Sequence, residues 1–309
     1  MKRRFPSILL LLLSVPLTAS LAAGEDRNPP WLEPPGPGKQ FTVPEVDNVP
    51  DLHGDVNDPQ LVIFFSGNQF MVTHDLVDAF RSRYPEYKRI YFQTIPPGIA
   101  LEQIEQGALI MGNLRITLRP DVVTAGRERI DQLQNEKNWF RKTVDYARNR
   151  LAIMVADDNP ENVRGWSDLA RKDVTVAMPN PEWEAITQKI EEAMRSAGGD
   201  DLVRQVMEKK KAAGTTLLTS IHHRQTPLWI MNKKADAGPV WITEVLFQKR
   251  IGHPIGLVGV PEEHNVVSTY TAASMHQAPH PEAAERFLDF ISSETAQQIY
   301  REYGFLPPG

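Results

Sequence analysis

From Leu61 onward the chain alternates short apolar runs with stretches whose apolar residues recur at helical spacing. Leu61, Val62, Ile63, Phe64 and Phe65 form a continuous run rich in β-formers, the pattern of a strand buried on both faces. The run stops at Ser66, Gly67, Asn68 and Gln69. Leu76, Ala79, Phe80 and Tyr84 then line one face of a helix that Pro85 closes. Residues 89–94 read as a second strand, Ile95, Pro96, Pro97 and Gly98 as a turn, and residues 101–106 as a helix. This order predicts a parallel sheet with helices on its faces. Further strands are predicted at 121–125, 151–156, 174–178, 235–241 and 255–260, and helices at 184–196, 202–211 and 281–303. In the last helix Ala284, Phe287, Leu288, Ile291 and Ile299 mark a buried face. The run Lys209, Lys210, Lys211 reads as the solvated end of a helix, where cations complement the dipole.

Before residue 61 the pattern is different. Lys2, Arg3 and Arg4 precede an apolar run from Ile8 to Leu17 and a small-residue segment ending at Ala23, which predicts a cleavable signal peptide over residues 1–23. The run is shorter than the roughly 20 residues a membrane-spanning helix needs. Export to the periplasm is therefore expected, with no membrane insertion after cleavage. Eight prolines between Gly24 and Pro59, with almost no periodic apolar pattern, predict an extended proline-rich arm over residues 24–58. Loss of the three basic residues with the leader takes the net charge from −5 to −8. That balance argues against nucleic-acid binding, which needs clustered positive charge. With no cysteine there is no disulfide, no thiolate metal site and no lipid-anchored cysteine, so a freely soluble monomer is expected.

Ligands of open α/β sheets bind beyond the carboxyl ends of the strands, which directs attention to the loops there. Four segments, in order, resemble the molybdate-binding type of periplasmic solute-binding proteins, within the wider class that takes sulfate and other anions. They are residues 63–69; a block with Tyr146, Asn149, residues 151–155, Asn159, Pro160, Asp168, Leu169 and Met178 to Pro181; Ala235, Asp236, Ala237 and Gly238 with Trp241 nearby; and an ending that runs from Pro281 through Phe287, Phe290 and Gln297 to Tyr303, Gly304 and Phe305. The resemblance implies an α/β, two-lobed Venus-flytrap fold of periplasmic binding protein type II, each lobe a mostly parallel sheet flanked by helices. One lobe would comprise residues 59–148 plus 268–309 and the other 149–267. A small anionic ligand would lie in the cleft between them, without a cofactor, and pass to an ABC-type membrane permease.

The ligand-binding positions expected are Ser66, Gly67, Asn68, Gln69, Pro97, Gly98, Asn180, Pro181, Glu182, His222, His223, Arg224 and Trp241. Several depart from the molybdate pattern. Pro96 and Pro97 offer no N–H where that cage uses backbone donors. Trp241 stands where the family's molybdate binders place a tyrosine, and residues 108–118 read as an insertion. These departures count against a tetrahedral metal oxyanion, and the expected ligand is an organic acid, a phosphorylated or phosphonate-like anion, or an oxyanion, the first two being favoured if the loop of His222, His223 and Arg224 faces the cleft. The guanidinium of Arg224 matches a carboxylate or phosphate bidentately, and His222 and His223 add donors whose charge varies near neutral pH. Either this loop faces the cleft, or its histidines serve local backbone groups and Arg224 a surface ion pair. Likewise Ser66 to Gln69 and Asn180 to Glu182 either contact ligand or cap the helices they open, and Trp241 is either a ligand platform or hinge-side core. Neither a nucleophile elbow nor an HExxH motif occurs, so an enzyme is not expected. Metal uptake through His222, His223 and Glu182, or sensing through a receptor, are the rival functions. The first is weakened because consecutive histidine side chains diverge.

Overall fold

The computed structural model describes residues 51–111, 114–182, 184–219 and 225–309. The signal peptide, most of the proline-rich arm, and His222, His223 and Arg224 lie outside the described residues. In chain order the first elements are β1 (Leu52–Gly54), β2 (Leu61–Phe64), α1 (Phe70–Arg83), β3 (Ile90–Gln93), α2 (Pro97–Gln106), β4 (Leu109–Met111), β5 (Leu114–Ile116), β6 (Val122–Gly126), α3 (Arg127–Lys137) and β7 (Phe140–Ala156). There follow β8 (Val176–Met178), α4 (Ile186–Arg204), β9 (Thr216–Leu218), α5 (Gln225–Met231), β10 (Ala237–Trp241), α6 (Ile242–Arg250), β11 (Ile255–Val258), β12 (Val267–Met275), α7 (Pro281–Ile291) and α8 (Glu294–Glu302).

One strand carries the architecture. The sheet runs β1-β3-β2-β6-β12-β7-β10-β8-β9, with β11 also on β7, and β7 is 17 residues long. Its first part pairs antiparallel with β12, up to Arg150 opposite Val267, and from Leu151 its partners are β10 and β11. At the changeover Asn265 brackets Leu151, accepting its N–H and donating to its C=O, both at 2.9 Å. A side chain thus supplies the two ladder bonds that the departing strand cannot. Buried apolar residues from 61–147 and 270–305 pack into the cores of one lobe, and those from 151–255 into the cores of the other.

Most predicted elements are present, with informative differences. Among the described residues, parallel pairing is confined to β3-β2-β6 and β10-β8-β9, because β7 and β12 run antiparallel to their neighbours as they pass between the lobes. Within the predicted arm, Leu52–Gly54 is an edge strand on β3. Gly54 is required there: its φ is 87°, and a Cβ would stand 2.0 Å from the Ile90 carbonyl oxygen. The predicted helix over 281–303 breaks at Ser292 and Ser293. Ser292 Oγ bonds back to Leu288 O at 3.0 Å, while Ser293 caps α8. Conversely α4 runs on past 196 but turns non-helical at Gly198 and Gly199, then passes into a π-helical turn, Gln205–Lys210.

Lys210 corrects the reading of a solvated lysine run. Its side chain is buried, with Nζ donating to the carbonyls of Arg171 and Val174. Burial pulls its pKa down, against the field of Asp173 and Asp236. Among the described residues, no helix is long and apolar enough to cross a membrane.

Candidate ligand-binding cleft

The carboxyl ends of β2, β3 and β6 bring three loops of lobe 1 together. Ser66 donates its N–H to Thr124 Oγ1 at 2.9 Å, tying the β2 loop to β6. Gly67 rests on the β3 loop so closely that a Cβ would lie 3.2 Å from Thr94 O. Pro97 opens α2, where its missing N–H costs nothing, and lines an apolar pocket with Phe65, Leu101 and Val123. Gly98 beside it is exposed, with open space where a side chain would start.

Lobe 2 contributes the loops after β8 and β9. Thr219 N–H donates to Met178 O at 2.9 Å, and Asn180 N–H donates to Thr219 Oγ1 at 3.3 Å. Asn180 Oδ1 accepts the Glu182 N–H at 3.1 Å and its carbonyl accepts the Glu184 N–H, so Asn180 closes its own turn ahead of α4. Pro181 and Glu182 are exposed. The two sides are joined where Lys189 Nζ, in the first turn of α4, donates to Glu128 Oε1 of α3 at 2.8 Å. Next to Glu128, Arg127 is ion-paired with Asp145 of β7, whose other oxygen accepts the Thr271 hydroxyl at 2.6 Å.

Two of the expected residues are turned inward. Gln69 donates to Tyr146 OH at 2.6 Å and accepts from Tyr300 OH at 3.1 Å, so its amide serves the lobe-1 core. Asn68 Nδ2 donates to Tyr270 OH, while its Oδ1 is buried without a hydrogen-bond partner. Burial pushes the hydroxyls of Tyr146, Tyr270 and Tyr300 well above their ordinary pKa, which keeps them as neutral donors and acceptors. Trp241 is 6% exposed, packs in the lobe-2 core and meets the Tyr270 ring edge-on at 6.3 Å. The hinge-side core alternative describes it.

Ser66 with Thr124, and Asn180 with Thr219, are thus brought together, whereas Gln69, Pro97 and Trp241 are engaged in packing. His222, His223 and Arg224 are outside the described residues. Sequence reasoning passed over Arg127, Glu128, Asp145 and Lys189. The signal for the first two was their place directly after the Thr124, Ala125, Gly126 loop; Lys189 carried none, since its partner is 61 residues away. Among the described residues, no group of three or more His, Cys, Asp or Glu is placed to hold a metal ion.

A family model described as bacterial extracellular solute-binding protein matches residues 61–306. The molybdate-binding protein ModA of Mycobacterium tuberculosis is 24% identical over 171 residues, which cover 53% of this chain and 57% of that protein. The chain therefore spans little more than half the length of the curated relatives it matches. Among solved structures, the sulfate-binding protein SubI of Mycobacterium tuberculosis superposes with a TM-score of 0.65 at 17% identity, over 80% of this chain and 86% of that one. L-phospholactate-bound PEB3, a protein of Campylobacter jejuni, gives 0.61 at 14% identity, over 80% and 99%. At these identities the superpositions establish the two-lobed fold.

Proposed function

Because this chain belongs to the bacterial extracellular solute-binding protein family, we propose that it captures a small anion between its lobes outside the cytoplasm and passes it to an ABC-type permease. The observation that carries this reading is that the β2, β3 and β6 loops gather on one lobe and those of β8 and β9 on the other, with Lys189 and Glu128 joining the helices that follow β8 and β6. Working boundaries are residues 59–148 plus 268–309 for one lobe and 149–267 for the other. Hinge closure about β7 and β12 encloses the ligand.

The ligand class is an organic acid or phosphorylated anion. Pro96 and Pro97 remove backbone donors from the β3 loop, and the N–H groups of Ser66 and Asn180 are already bonded within their own lobes. A cage built of backbone N–H groups around a bare oxyanion is short of donors here. Relatives of the same fold bear molybdate, sulfate and L-phospholactate in their names, so the scaffold itself accommodates both kinds of anion. His222, His223 and Arg224 are kept among the residues proposed to recognise the anion, on the chemistry of their side chains alone.

A thermal-shift screen of the mature protein against molybdate, sulfate, L-phospholactate and citrate tests the reading. An anion at 100 times its Kd adds about 2.7 kcal/mol, which raises Tm by roughly 5 °C. A shift with phospholactate or citrate is expected. A shift confined to molybdate or sulfate would move the ligand class to oxyanions, and none with any of the four sinks anion capture.

A further inference from the structure

Resting on that reading, we propose that Arg127 is the cation with which lobe 1 recognises the anion, and that Asp145 holds it in reserve until the anion arrives. Arg127 is the first residue of α3, three positions past Thr124, whose hydroxyl closes the β2 loop. Its neighbour Glu128 reaches Lys189 of the opposite lobe at 2.8 Å, so this turn of α3 borders the space between the lobes. The two partners differ in freedom. Asp145 is 22% exposed, fixed on β7 in the middle of the sheet and held by Thr271 at 2.6 Å. The Arg127 side chain is 51% exposed at the end of a long flexible stem.

One carboxylate does not use up the five N–H donors of a guanidinium. With the side chain half exposed, the remainder are open to a ligand, and a planar fork suits a carboxylate or phosphate monoester. Demand for such a side chain follows from the backbone. Pro96 and Pro97 have no N–H, and those of Ser66 and Asn180 are occupied by threonine hydroxyls. The anion's charge must then be met by a side-chain cation, and on the lobe-1 side Arg127 is placed to do so. When the anion binds, the guanidinium shares or leaves Asp145. Asp145 thus competes with the ligand and sets its affinity.

Isothermal titration of the mature protein with L-phospholactate, citrate and sulfate, at one fixed salt concentration, tests this. Arg127→Gln is expected to weaken the bound probe by roughly tenfold to a hundredfold, with Arg127→Lys partly restoring it. Asp145→Asn is expected to act the opposite way and tighten binding about 1.5- to 5-fold, the size of a lost competing ion pair near the surface. An unchanged Kd in Arg127→Gln overturns the role of Arg127 and leaves anion capture standing. Equal weakening in Arg127→Gln and Asp145→Asn marks a merely structural pair and also overturns it. A wild-type protein that binds none of the probes removes the anion reading, and this proposal with it.

Discussion

Lobe 1 is packed around aromatic rings, with Phe65 and Phe80 edge-on to Phe287, Phe80 edge-on to Phe290, and Tyr146, Tyr270 and Tyr300 in the same core. Lobe 2 is packed around Ile153, Val176, Met178, Ile190 and Met194, with Trp166 and Trp241 at its margins. The phenol hydroxyls make the difference matter for the cleft. They reach from the core to Asn68 and Gln69 and fix the β2 loop from beneath. In lobe 2, by contrast, the β8 loop is closed locally, by Asn180, by Thr219 of the β9 loop and by Thr187 in the first turn of α4. Lobe 1 presents a preset surface, whereas the exposed part of the lobe-2 loop, Pro181 and Glu182, is free to vary with little cost to the core. Ligand preference within such a scaffold is best sought in lobe 2 and in the few lobe-1 side chains, such as Arg127, that the tyrosine network leaves alone.

The largest effect that separates the lobes is their response to alkali. Above pH 10 the unfolded chain loses the protons of Tyr146, Tyr270 and Tyr300 while the native state keeps them, so stability falls as pH rises. Three protons correspond to about 4 kcal/mol per pH unit. Lys210 in lobe 2 works the other way. Its lowered pKa lets the native state release a proton before the unfolded chain does at 10.5, so between those values it adds stability with rising pH. Urea melts from pH 8 to 11 should rise slightly and then drop steeply; Lys210→Met, whatever the loss of its two carbonyl bonds does to the overall level, should abolish the rise and leave the drop. A flat profile above pH 10 would contradict the tyrosine account.

Next in size is Gln69→Leu, which leaves two buried hydroxyls without their amide partner. A loss of about 1 to 3 kcal/mol in unfolding free energy is expected, measured by urea denaturation. Loss of ligand binding with full stability would instead return Gln69 to the cleft. The smallest effect belongs to Lys189→Met. Glu128 is largely exposed, so the pair contributes about 0 to 1 kcal/mol, and only ligand affinity and salt dependence should shift. A Tm drop of many degrees would mean that Lys189 supports the lobe-2 fold and not the junction.

The fold was legible wherever burial was two-sided. Residues 61–65 or 151–156 announce themselves because both faces of those strands meet apolar neighbours. The first half of β7 and all of β12 were missed. Arg141, Lys142 and Arg148 in one and Ser268, Thr269 and Thr271 in the other conceal strands whose stability comes from their mutual ladder. Helix α3 was missed because only Ile130 and Leu133 of its eleven residues are buried. For the cleft, sequence reading found the loops but not what their atoms are doing. A spare Ser or Gln in a loop looks the same whether it waits for a ligand or is already bonded to a residue 231 positions away. Lys210 shows the same limit, since its position in a lysine run hides two carbonyl partners some 36 and 39 residues upstream.

The strand shared by both lobes also bears on the order of assembly. Everything lobe 2 needs lies in one contiguous stretch, so its core can close on short chain loops. Lobe 1 waits for β12, α7 and α8, which follow the lobe-2 stretch in the chain. Its final contacts, Tyr300 on Gln69 and Gln297 on Tyr146, span 231 and 151 residues. Loop-closure entropy makes such contacts late and slow. The aromatic lobe is accordingly expected to close last, when Tyr300 and Gln297 reach Gln69 and Tyr146.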